Sequence, residues 1–265
     1  MLGTILGDII GSPYEFDVNN IKTKDFPLFS DKSKFTDDTV VSLAVSEGLI
    51  NGYHNRDKTE IEIIKSMHTL CNEYSSVGYG SKFSEWLSTD NPEPYNSCGN
   101  GSAMRVSPVA WIYNNINDIE CFAEISAKVT HNHPEGIKGA KAVAVAIFLA
   151  RKGKDKNYIK TYIENMYGYD LSRSCNCIRL NYHHVETCQE TVPEAITAFL
   201  EGSNFEDVIR LSISLGGDSD TIAAISGSIA EAYYEIPYEL STKVIAMLPR
   251  ELKDILYQYD LFIAH

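Results

Sequence analysis

Apolar residues recur three and four positions apart through most of this chain, as in TVVSLAVSEGLI (39–50), GIKGAKAVAVAIFLARKG (136–153) and DTIAAISGSIAEAYY (220–234). That spacing lines one face of an α-helix and cannot line one face of a strand, whose repeat is two. The same pattern covers 58–74, 119–130, 158–168, 192–202, 205–217 and 249–262, and no period-2 run of any length competes with it. An all-α fold of about ten helices is therefore expected. Gly52, Gly153, Gly168 and Gly202 fall at helix ends, and Pro134, Pro193 and Pro249 near helix starts, where each residue type is tolerated best. The Ala-rich stretches 140–150 and 223–232 are apolar nearly all round, which predicts central helices in close contact.

No linker or low-complexity tract divides the 265 residues, so one domain spanning 1–265 is expected, as a monomer. A net charge of −13 argues against a broad nucleic-acid-binding face. Six cysteines without a dense disulfide-like spacing suit a reducing cytoplasm. The apolar N-terminus lacks a basic region and is interrupted by Asp8, unlike a signal peptide, and no stretch is long and apolar enough to span a membrane.

Two helix starts carry unusual charge. Thr36-Asp37-Asp38-Thr39-Val40 aligns with Asp218-Ser219-Asp220-Thr221-Ile222, each a cluster of oxygen ligands opening an apolar helix. Capping explains one acceptor per helix, worth about 1 kcal/mol, but each motif supplies three in four residues. Four carboxylates at the mouths of two core helices repel unless a cation lies between them. Hard oxygen donors suit Mg²⁺, Mn²⁺ or Ca²⁺ rather than Zn²⁺, and two clusters suggest two ions. A third acidic stretch, GDIIGSPYEF, holds Asp8 and Glu15, with the helix expected to break at Pro13.

GDIIGSPYEF, FTDDT, GNGSAMR, THNHP and GGDSDTIAAISG occur in the order and approximate separation seen in the ADP-ribosylglycohydrolase family, which the chain resembles from Gly7 to about Pro237. The resemblance implies an orthogonal α-helical bundle around a binuclear Mg²⁺ or Mn²⁺ site at helix N-termini. Residue by residue, it implies that Thr36, Asp37, Asp38, Asp218, Asp220 and Thr221 hold the metals and that Glu15 lies near the scissile bond. Gly99, Asn100, Gly101, Ser102 and Met104 become candidates for a diphosphate loop, with Gly99 and Gly101 permitting positive φ and Arg105 a weaker charge partner. His131 is placed beside the bound ribose, and Tyr182 or a neighbour becomes an adenine-stacking candidate. His133 receives no role, and Cys175, Cys177, His183, His184 and Cys188 fit no standard zinc spacing.

The reaction implied is metal-dependent hydrolysis at the anomeric carbon of ADP-ribose attached to an acceptor, with arginine on a protein as first choice. Glu15, Asp37 and Asp220 are the catalytic candidates. Serine, an acetyl ester or a nucleic-acid base are alternative acceptors. A nucleotide phosphohydrolase, a non-catalytic ADP-ribose-binding or immunity protein, and a structural bundle using the acids as caps are the other readings.

Overall fold

The computed structural model describes residues 1–264. Helix α1 (Leu2–Gly11) ends in a 3-10 turn (Ser12–Tyr14), and an irregular segment then leads to α2 (Asp37–Asn51), α3 (Arg56–Glu73) and α4 (Ser81–Leu87). Next come α5 (Gly101–Met104), α6 (Ser107–Ile112), α7 (Ile116–Lys128), α8 (Pro134–Arg151), α9 (Lys156–Tyr167) and α10 (Cys175–Asn181). The chain closes with α11 (Cys188–Glu201), α12 (Phe205–Ser214), α13 (Ser219–Tyr233), α14 (Tyr238–Met247) and α15 (Arg250–Ile263). Among the described residues there is no strand, only an isolated antiparallel bridge between Gly99 and Thr187.

Each long periodic stretch forms a helix, and the helices exceed the expected number because short ones lie between them. Those over 81–87, 101–104, 107–112 and 175–181 last two turns or less, too short to display a period. One punctuation reading is corrected: Pro193 does not open its helix but lies inside α11, which starts at Cys188 after Thr187. Gly168 does end α9, in the left-handed conformation that favours glycine.

Buried apolar side chains form one contiguous cluster to which nearly every helix contributes. At its centre lie α8 and α13, the second buried continuously from Ser219 to Ala230. Helix α1 approaches α13 backbone to backbone: a Cβ at Gly7 would stand 2.1 Å from the Ala223 carbonyl oxygen, and one at Gly11 2.4 Å from the Asp220 Cα. Only glycine admits that contact, and it sets the end of α1 against the beginning of α13. The two acid-bearing elements of the N-terminus and of residues 216–221 meet as a result.

Candidate metal centre and substrate cleft

The site begins with Asp8, fully buried on α1. Its carboxylate accepts hydrogen bonds from the backbone N–H of Thr36 at 2.9 Å, the N–H of Thr39 at 3.1 Å, the Thr36 hydroxyl at 2.7 Å, and the Thr39 hydroxyl. Thr36 occupies the N-cap of α2 but caps nothing with its own side chain. Asp8 does that work from another helix, so Asp37 and Asp38 in the first turn are left to line a cleft.

On the opposite side Gly216 and Gly217, with φ of 77° and 74°, turn the chain sharply into α13. Asp218 follows at the N-cap position and accepts a 2.6 Å hydrogen bond from Asn100 Nδ2. The Thr221 hydroxyl donates to Asp38 Oδ2 at 3.0 Å, joining the two acidic helix starts directly. Glu15, just past the 3-10 turn, brings a carboxylate oxygen to the same place: single ligand atoms of Glu15, Asp218 and Asp220 all lie within 4.8 Å of one another.

Burial, reinforced by neighbouring carboxylates, pushes the Asp37, Asp38 and Asp220 carboxyls well above the ordinary range. Burial also raises Glu15 to about 7, with Asp218 adding to the effect, and Asp8 to about 6 against the pull of its four hydrogen bonds. Among the described residues, no Lys or Arg forms an ion pair with any of these groups. Asp38 Oδ1 is buried without a hydrogen-bond partner, a state that costs about 1–3 kcal/mol or more for a charged group. Hard oxygens, a stranded carboxylate atom and missing counter-charge together fit a divalent cation.

The cleft above the acids has a volume of about 350 Å³. Gly99, Asn100, Gly101, Met104 and His131 line its wall. The bridge to Thr187, with Asn100 N–H donating to the Glu186 carbonyl at 2.7 Å, pins this loop to the start of α11. His131 is buried, and desolvation holds its imidazole well below the usual range. Arg105 Nη2 donates to the Thr130 hydroxyl at 2.8 Å, and that hydroxyl lies 2.7 Å from His131 Nδ1. The Thr130 hydroxyl thus ties the Nδ1 side of the ring to Arg105 and leaves Nε2 toward the loop. Nε2 lies beside the loop, 3.3 Å from where a Cβ of Gly99 or Gly101 would stand.

Residues 1–259 match the ADP-ribosylglycohydrolase family. The chain belongs to that family. It is 27% identical over 315 residues to the ADP-ribosylhydrolase ARH3 of Homo sapiens, covering 88% of this chain and 84% of that protein. It is 26% identical over 304 residues to the ADP-ribosylarginine hydrolase Tri1 of Pseudomonas putida, covering 98% and 78%. A solved ADP-ribosylglycohydrolase-related protein complex superposes with a TM-score of 0.71 over 99% of this chain and 95% of its own, at 23% identity, which shows the shared fold. The chain is thus an enzyme of this family. The family is metal-dependent, and the Glu15, Asp218 and Asp220 group is the acidic cluster able to take a metal in this member.

Several positions read from the sequence lie differently from expectation. Asp37, Asp38, Asp218, Asp220 and Thr221 line the cleft, whereas Thr36 is buried behind it with its hydroxyl on Asp8. Ser102 also stands behind the wall, donating to the Gly136 carbonyl at 2.7 Å. Tyr182 does not line the cleft; its hydroxyl donates to the Glu190 carbonyl at 3.0 Å, and its ring fills the space beside Gly217. Neither Gly99 nor Gly101 has positive φ, so what their missing side chains provide is room for His131. Arg105 is buried, with its guanidinium turned to backbone carbonyls and Thr130. His133 caps α8, its Nδ1 accepting from the Glu135 N–H at 3.1 Å. The clamp formed by Asp8 escaped the sequence reading, although its place in GDIIG beside Glu15 marked it as an acid in an apolar helix.

Proposed function

We propose that this chain hydrolyses the glycosidic bond between ADP-ribose and an acceptor, with an ADP-ribosylated arginine side chain of a protein as the acceptor, and so reverses mono-ADP-ribosylation. The observation that carries the reading is the stranded Asp38 Oδ1 on the floor of an acid-lined cleft, in a chain of this family. Asp37, Asp38, Asp218, Asp220 and Thr221 hold two Mg²⁺ or Mn²⁺ ions, with Thr36 ordering the first helix start through Asp8. Bound there, a divalent cation supplies the charge that offsets the carboxylates, orients ribose hydroxyls and makes a neighbouring water more acidic.

The remaining chemistry falls to the side chains. Glu15, whose carboxylate meets those of Asp218 and Asp220, is placed to accept a proton from the attacking water and to pass it to the departing acceptor. As the bond to the acceptor breaks, positive charge builds on the ribose, and the surrounding carboxylates of Asp37 and Asp220 favour it. Gly99, Asn100, Gly101 and Met104 shape the wall against which the diphosphate lies, and His131 Nε2 forms a hydrogen bond with the substrate beside them. Ser102 and Tyr182 support that wall and the turn before Asp218 from behind. Arginine comes first because one relative carries the name ADP-ribosylarginine hydrolase.

The test is a chromatographic comparison of products from ADP-ribosyl-arginine protein, ADP-ribosyl-serine peptide and O-acetyl-ADP-ribose. Intact ADP-ribose from the arginine substrate is expected. Release from the serine or acetyl substrate alone would replace the acceptor, and AMP or phosphate as the product would replace the reaction.

A further inference from the structure

Six carboxylates line the cleft, from Glu15, Asp37, Asp38, Glu186, Asp218 and Asp220, against two cationic side chains, Lys82 and Arg105. Arg105 is 1% exposed, and its Nη2 donates to the Ser126 carbonyl and the Thr130 hydroxyl, each at 2.8 Å. Its charge is engaged by the fold. Lys82, on α4 at the cleft wall, is exposed. Among the described residues, no carboxylate lies within ion-pair distance of its Nζ, even with six sharing the same cleft.

With divalent cations offsetting the acids of the floor, as proposed above, a diphosphate lying along the wall still needs a counter-charge there from a group that is not already spent. An ammonium on a flexible stem is suited to that role, since it meets a phosphate as a point charge and needs no fixed geometry. We infer that Lys82 pairs with the diphosphate of ADP-ribose and makes the cleft select phosphorylated over uncharged ribosides, an assignment that rests on the ADP-ribose reading above. It replaces Arg105, the cation that the sequence pattern offered for the purpose.

Calorimetric titration of the magnesium-loaded protein with ADP-ribose, ADP and adenosine tests this in the wild type, Lys82→Gln and Lys82→Arg. Lys82→Gln is expected to raise the Kd for ADP-ribose and ADP by about two- to fivefold, the upper part of the range for an ion pair near the surface. Its affinity for adenosine and its melting temperature should stay those of the wild type, and Lys82→Arg should bind ADP-ribose within about twofold of the wild type. The salt dependence of ADP-ribose binding should also shrink in Lys82→Gln. Wild-type affinity for ADP-ribose in Lys82→Gln, or an equal loss for adenosine, overturns the inference while leaving the hydrolase reading standing. A wild type that binds no ADP-ribose overturns that reading itself.

Discussion

Replacing Asp38 by Asn should stabilise the metal-free protein and abolish its response to metal. Asp38 is 2% exposed, has one oxygen on the Thr221 hydroxyl and the other unpartnered, and faces a cluster of like charge. Burial raises its carboxyl well above the ordinary 3.8, with Asp8, Asp37 and Asp218 adding to the effect. A carboxyl raised in the folded state contributes stability that is fully present below its unfolded pKa and is lost as pH rises through the folded value. Each pH unit over which the folded protein holds a proton the unfolded chain has released costs about 1.4 kcal/mol. Sharing of charge across the cluster and water in the cleft reduce the total, so Asp38→Asn should gain about 2 kcal/mol at pH 8 without metal. For a chain of this size that is about 4–8 °C in melting temperature. At pH 5 the gain should shrink. With Mg²⁺ at about one hundred times its Kd the wild type gains about 2.7 kcal/mol and the variant almost none, so their order reverses. Urea unfolding at both pH values, in EDTA and in Mg²⁺, reads all of this. A variant less stable than the wild type in EDTA at pH 8, or one stabilised equally by Mg²⁺, refutes the reasoning.

Asp8→Ala should destabilise the protein by about 2–4 kcal/mol, since it removes the acceptor of α2's first N–H groups and leaves buried donors unpaired; urea titration in EDTA measures it. Gly7→Ala should cost about 1–3 kcal/mol or more, because its Cβ would meet the Ala223 backbone, and calorimetric melting should show the loss. The metal-free wild type should melt at progressively lower temperature relative to Asp8→Asn as pH rises through about 6, where the raised Asp8 carboxyl gives up its proton; matched thermal scans from pH 4 to 8 check the sign.

Much of the architecture was legible because long amphipathic helices announce themselves locally. The acidic starts at Asp37–Asp38 and Asp218–Asp220 were legible for a different reason: charge in excess of capping needs, placed where a core helix begins. What escaped notice depends on contacts between distant segments. Asp8 meets Thr36 and Thr39 across intervening irregular chain, and nothing in GDIIG specifies that partner. Gly7 and Gly11 are spaced one helical turn apart, but only the packed structure shows α13 lying against them. Ser102 and Tyr182 sit in the right motifs and point elsewhere, since sequence position fixes a neighbourhood and not a side chain's direction. Lys82 belongs to a helix too short for a periodic signal, so its presence at the cleft could not be read beforehand.

The central claim is that the buried acids hold a cation required for hydrolysis at ADP-ribose. Its most direct test is the time course of ADP-ribose release from a mono-ADP-ribosyl-arginine protein, followed in EDTA and after Mg²⁺ or Mn²⁺ is restored, for the wild type and for Asp220→Ala. Release by the wild type should stop in EDTA, return with metal, and be absent at all times from a folded Asp220→Ala. Undiminished release in EDTA after prolonged dialysis, or a fully active Asp220→Ala, would contradict it.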